Sequence, residues 1–192
     1  MINRWFEDVK EVVSDPSGFF QDADQDGFGY PLKFAAVSLL VSGVLNAVRT
    51  ALFSGMGQES GAVAAGAVFG FIGTFIGGLI SLLIGAGLIH IVVVLFGGEG
   101  YDKTLSVMEY ATAVSPVTAL LSFVPILGAL AGLLVGLYGL YIQIKGVEII
   151  QDLTTGKAAI AVILPGLIIA ALVMVLVFTV GAAMLLGGTA AM

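Results

Sequence analysis

Asp22-x-Asp24-x-Asp26-Gly27 is the string with the most specific chemistry in this chain. Three carboxylates at alternate positions followed by a turn glycine reproduce the first half of an EF-hand calcium loop. The twelfth position, where a bidentate Glu belongs, is Lys33, and Pro31 stands two residues before it, so a complete hand is excluded. What remains is a weak oxygen-ligand candidate at Asp22, Asp24 and Asp26, against the plainer reading of a solvated acidic segment. His90 is the sole histidine. With neither HExxH nor a second imidazole beside it, hydrogen bonding to a neighbouring helix is expected rather than metal ligation.

Ionisable groups inside apolar segments are costly and mark candidate sites. Here they are Glu109, Lys145 and Glu148, the last two one turn apart and able to pair. Tyr101, Asp102, Tyr110, Tyr141, Gln143 and Asp152 add hydroxyls, acids and an amide at similar depth. Together with His90 they form a candidate polar pocket, near the cytoplasmic face, for a lipid headgroup or a partner segment. Interface anchoring and mutual neutralisation explain the same residues more plainly.

Other chemistries lack their residues. The chain has no cysteine, which removes thiolate nucleophiles, disulfides and Cys-ligated metals together. Gly97-Gly98-Glu99-Gly100 does not fit G-x-G-x-x-G, and Thr155-Gly156-Lys157-Ala158 lacks the upstream glycine of a phosphate loop. Serines in the apolar segments have no base at matching depth apart from His90. No catalytic residue, cofactor or enzymatic activity is expected.

The elements that must position these residues belong to a membrane. Hydrophobic residues make up 59% and charged residues 10%, against roughly 45–50% and about 25% in soluble domains. Phe34–Phe53, Ala62–Phe96 and Ala158–Leu186 each reach the ~20 residues that cross the hydrocarbon core as a helix. A net charge of −6 without clustered Lys and Arg argues against nucleic acid as a partner.

Spans are expected over Lys33–Phe53, Ala62–Phe96, Thr104–Val124, Ile126–Ile149 and Ala158–Leu186, joined by Ser54–Gly61, the glycine-rich loop after Phe96, a turn at Pro125, and Gln151–Lys157. The second is long for one crossing, so a tilted or broken helix is expected, weakest at Gly77-Gly78. Pro165-Gly166 should bend the last. Thr104–Val124 is polar enough to be re-entrant by hydropathy, and charge decides it. Five crossings put Arg4, Lys10, Lys33, Lys103, Lys145 and Lys157 inside and Arg49 alone outside, whereas four crossings give a split of four to three.

The first residues lack the apolar core of a signal peptide. Ile2, Trp5, Phe6, Val9, Val12 and Val13 recur at helical spacing, which predicts an amphipathic helix in the membrane surface with Trp5 at headgroup depth. The fold expected is therefore an all-α membrane protein. It is a five-transmembrane-helix bundle with a short N-terminal interfacial helix, divided into residues 1–32 (cytoplasmic helix and acidic segment) and 33–192 (spans), its uncharged tail Gly187–Met192 outside. Gly66 and Gly70, Gly73 and Gly77, and Gly128, Gly132 and Gly136 form three runs spaced four apart on helix faces, for packing within the bundle or for self-association.

Asp15-Pro16-Ser17-Gly18-Phe19-Phe20, Gly97–Val107, Pro125, the stretch Tyr141–Asp152 and Lys157-Ala158-Ala159 leading into Pro165 occur in an order that resembles the YIP family, the Ypt/Rab-interacting membrane proteins, in its archaeal and bacterial branch. The resemblance covers nearly the whole chain. It implies a five-span bundle with a cytoplasmic N-terminus; eukaryotic relatives are associated with Rab binding, vesicle traffic, membrane shaping and hetero-oligomers. The cytoplasmic N-terminal part expected here, residues 1–32, is short beside the long region of those relatives. The leading expectation is a non-enzymatic multi-pass protein of the cell membrane that organises lipids or partner proteins, forming homo- or hetero-oligomers through its glycine faces. A small transporter or channel is the alternative.

Overall fold

The structure, a computed structural model, describes residues 2–53 and 60–189. Most of the expected loop Ser54–Gly61 and the end of the tail Gly187–Met192 lie outside the described residues. The described chain is helical throughout, in the order α1 (Ile2–Ser14), α2 (Pro16–Asp22), α3 (Tyr30–Phe53), α4 (Ser60–Ile72), a π-helical turn (Gly73–Gly77), α5 (Gly78–Leu95), α6 (Tyr101–Tyr110), a 3-10 turn (Ala111–Val114), α7 (Ser115–Leu121), α8 (Pro125–Ile150) and α9 (Thr155–Thr189).

Local chemistry sets several boundaries. The Asp15 carboxylate accepts from the Gly18 amide at 3.0 Å, with Pro16 in the first turn of α2. Pro125 likewise opens α8. Gly97 and Gly100 have φ values of 95° and 75°, a backbone region that admits glycine readily, and they turn the chain from α5 into α6. The π-helical turn stops at Gly77, next to the Gly77-Gly78 step expected to be weakest. α9 runs on through Pro165.

Four helical stretches among the described residues are long and apolar enough to cross a membrane: Tyr30–Phe53, Ser60–Leu95, Gly128–Ile150 and Thr155–Val180. The expected third span is a composite of α6, the 3-10 turn and α7. Its interruption has a cause in Pro116, which removes an amide donor and crowds the carbonyl four residues earlier. The composite lies along α3 from end to end. Phe34 and Tyr110 meet with ring centroids 5.2 Å apart near one end, while Arg49 Nε donates to the Ser122 carbonyl at 2.9 Å and Phe53 meets Phe123 at 6.1 Å near the other.

The N-terminal hairpin belongs to the bundle core. Val12 and Phe20 are fully buried and Phe19 nearly so, clustered with Phe34, Tyr110 and Ile142. Trp5, half-buried, donates its indole N–H to Ser38 Oγ at 2.9 Å, and its ring lies 6.5 Å from that of Phe34. Tyr138 of α8 closes the far side by donating to the Val13 carbonyl at 2.6 Å. Only Ile2 and Phe6 remain broadly exposed among the large apolar residues of α1.

The glycines that admit close approach are not those spaced four apart. A Cβ at Gly146 would lie 2.6 Å from Val107 Cγ1 and 2.8 Å from the Phe20 ring, one at Gly78 2.8 Å from Leu39, and one at Gly43 3.0 Å from Phe71. At Gly73, Gly77, Gly132 and Gly136 it would meet nothing within 4 Å, Gly66 and Gly70 face only Thr50, and Gly128 is pressed on the Leu121 carbonyl of the preceding turn. Over Thr155–Val180, α9 is held at its foot: Ala158, Ala161, Val162 and Pro165 are buried, and every residue from Gly166 to Val180 is exposed.

Candidate functional site

The loop after α5 is fastened by one side chain, Gln151. Its Oε1 accepts from the Glu99 amide at 2.8 Å, and its Nε2 donates to Thr104 Oγ1 at 3.0 Å and toward the Gly100 carbonyl at 3.4 Å. Thr104, fully buried, also shares a 2.9 Å hydrogen bond with His90 Nδ1. Tyr101 lies edge-on to the His90 ring, 5.8 Å between centroids, and donates to the Leu83 carbonyl at 2.8 Å. One amide therefore ties α8 to the loop and to α6, and His90 ties α5 into the same network. A buried amide with both ends satisfied stiffens its surroundings. Beside it a pocket of about 220 Å³ opens among Gly97, Glu99, Lys103 and Asp152. Asp152, at φ 49°, turns the chain toward α9.

The remaining residues of the expected polar pocket disperse. Lys145 and Glu148 pair at 2.9 Å as their spacing predicts, and Thr155 Oγ1 adds a bond to the same carboxylate at 2.7 Å, closing the corner between α8 and α9. Tyr141 lies beside Tyr138, 5.6 Å between centroids; Gln143 is half-buried; Asp102 is exposed in the first turn of α6. Tyr110 faces Phe19 at 4.7 Å. Glu109 is fully buried, and neither carboxyl oxygen has a hydrogen-bond partner among the described residues. His90, Tyr101 and Asp152 thus share one neighbourhood, Lys145 and Glu148 a second, and Glu109 hydrogen-bonds to none of them.

The acidic segment is a folded turn. Asp24 Oδ1 accepts from the Asp26 amide at 3.1 Å and Asp26 Oδ1 from the Phe28 amide at 3.1 Å, so these carboxylates hold their own backbone. A Cβ at Gly27 would meet the Asp102 carbonyl at 2.5 Å and Leu105 at 2.9 Å, which places the turn hard against α6. Among the described residues no three His, Asp or Glu side chains come together as a metal-binding group.

A second pocket, of about 260 Å³, is lined by Ser42, Asn46, Thr74, Ser115, Thr118 and Ser122, between α3, the π-helical turn and α7. Ser42, Thr118 and Ser122 commit their protons to carbonyls three or four residues earlier in the chain at 2.6–3.0 Å, so each turns lone pairs outward. Sequence reasoning passed over these residues. The available signal was the spacing of Ser38, Ser42 and Asn46 at four-residue intervals, one polar stripe on an apolar helix.

A family model described as the Yip1 domain matches residues 10–190. The uncharacterized protein MJ0794 of Methanocaldococcus jannaschii is 30% identical over 119 residues, covering 58% of this chain and 83% of that protein. No solved structure matches the chain.

Proposed function

Because the chain belongs to the Yip1 domain family, a family of helical membrane proteins, we propose that it is a non-enzymatic scaffold which crosses the membrane five times and organises lipids or partner proteins. Its N-terminus lies in the cytoplasm and its C-terminus outside.

The observation that carries this reading is the course of residues 101–121. About 31 Å long at 1.5 Å per residue, they accompany α3 from Phe34 to Arg49, and a segment that keeps company with a span over that length crosses with it. The polar groups that hydropathy counts against it face protein: Thr104, Ser106, Glu109 and Thr112 are all buried. Four of the lysines expected inside support the same orientation. Lys103 lines the pocket beside Gln151, Lys157 reaches the Phe96 carbonyl at 3.5 Å, Lys145 pairs at the α8–α9 corner, and Lys33 stands in the first turn of α3. Arg49 lies at the opposite end.

The native chain has no cysteine, so single cysteines can report topology without background. In intact cells an impermeant maleimide is expected to label Val124→Cys and to spare Glu7→Cys and Gly156→Cys until the membrane is permeabilised. Labelling of Gly156→Cys in place of Val124→Cys would reduce the crossings to four.

Partner contacts are assigned to the open faces around Gly73 and Gly77 and around Gly132 and Gly136, where helix backbones can approach closely. Purification from native membranes in a mild detergent is expected to recover a stoichiometric protein or lipid, or a second copy of the chain, and Gly132→Leu is expected to reduce that recovery. Repeated isolation of bare monomer would sink the scaffold reading.

A further inference from the structure

The folded hairpin and acidic turn enclose a pocket of about 130 Å³ at the lysine-bearing end of the bundle, separate from the Gln151 network. Its rim carries Asp8, Glu11, Asp22 and Asp24, and its floor is aromatic, with Phe19 and Tyr110 edge to face at 4.7 Å. Tyr110 is 1% exposed, its hydroxyl lies in the field of Asp8, Asp24 and Arg4, and it has no hydrogen-bond partner among the described residues. The little surface that Tyr110 keeps opens on the pocket, which leaves its hydroxyl free to pair with an occupant.

The pocket's charge is incomplete. Four carboxylates face one guanidinium, that of Arg4, which is engaged 3.6 Å above the Tyr30 ring and 3.6 Å from Asp8. Asp8 also accepts from the Tyr30 hydroxyl at 2.6 Å. Glu11, Asp22 and Asp24 are left with no cation of this kind beside them among the described residues. A pocket of this size holds about four waters at ~30 Å³ each, room for the head of an arginine or lysine side chain.

We propose that this pocket receives a guanidinium or ammonium group from a basic segment of a partner protein. The proposal deepens the scaffold reading by giving the partner's chemistry. The aromatic floor selects an organic cation, which the negative face of a ring attracts, over a bare metal ion, for which no three carboxylates are grouped among the described residues. The carboxylate rim selects protein over lipid. An ethanolamine headgroup brings its phosphate within a few bonds of its ammonium, and that phosphate would meet Asp8, Glu11, Asp22 and Asp24, whereas a basic segment brings positive charge alone.

Trp5 is the sole tryptophan and sits in α1 beside Arg4, so its fluorescence in the full-length protein reports on the pocket. A tryptophan-free peptide with two arginines is expected to give a saturable change, weakened about tenfold when citrulline replaces arginine. Glu11→Gln, on the exposed rim, and Phe19→Leu, on the floor, are each expected to weaken it about fivefold or more. Equal binding by Phe19→Leu would reduce the effect to surface charge, and competition by millimolar calcium would make this a metal site. No saturable change would overturn the proposal outright. If a partner is recovered from membranes while the arginine peptide does not bind, this inference fails and the scaffold reading stands.

Discussion

A Gly146→Leu chain is expected to lose the seat of its N-terminal hairpin and to unfold far earlier than the wild type. The added Cβ would overlap Val107 and the Phe20 ring, both fully buried with neighbours on every side, so neither can retreat. Overpacking of this kind costs about 3 kcal/mol, the upper part of its usual range. Gly132→Leu is the contrast, because its Cβ position is empty out to 4 Å and the cost to the isolated chain is expected to stay within about 0.5 kcal/mol. Thermal unfolding in detergent, followed by Trp5 fluorescence and by the monodisperse fraction left after heating, separates the two. Equal loss in both variants would mean that α8 does not seat Phe20 as described.

The opposite sign is expected at Glu109. A fully buried carboxyl group with two unpartnered oxygens carries its desolvation cost with nothing to offset it. Glu109→Leu, similar in bulk and free of polar atoms, is expected to stabilise the protein by about 1–4 kcal/mol. Glu109→Gln keeps a polar head in the same place and is expected to gain less. A fall in stability on Glu109→Leu would show that an ion, a water or a partner group completes this carboxyl in the membrane. A rise would mean that the residue is retained against stability, as groups with a functional task are.

What the sequence disclosed and what it withheld divide along a physical line. Apolar run length, Pro, Gly and charge act locally, so the long helices, the turn at Pro125, the weak point near Gly77, the Lys145–Glu148 pair and the helix-to-helix bond of His90 were all legible. Which surfaces meet depends on the register of two helices at once. Thus the four-residue glycine spacing pointed to Gly73, Gly77, Gly132 and Gly136, while the close approaches fell at Gly43, Gly78 and Gly146. The amphipathic pattern of α1 showed that one face needs covering, and it could not say that Ser38 and Phe34 would meet Trp5. Single hydroxyls are tolerated in any apolar helix. Only the pairing of α3 with α7 turns Ser42, Asn46, Ser115, Thr118 and Ser122 into a pocket. Glu109 could be placed near the start of a span, and its burial without a hydrogen-bond partner emerged only with the packing.

The way α9 is fastened has a mechanical outcome. Its 26 residues from Thr155 to Val180 measure about 39 Å as a helix, more than the ~30 Å of an average bilayer interior, so it must lean to keep its apolar length covered. Since over this length its neighbours grip only the first turns, up to Pro165, where the missing amide loosens the ladder, a change of lean is taken up at that foot. The last helix then stands like a mast stepped in a rigid deck, following membrane thickness while Gln151 and the hairpin below stay in place.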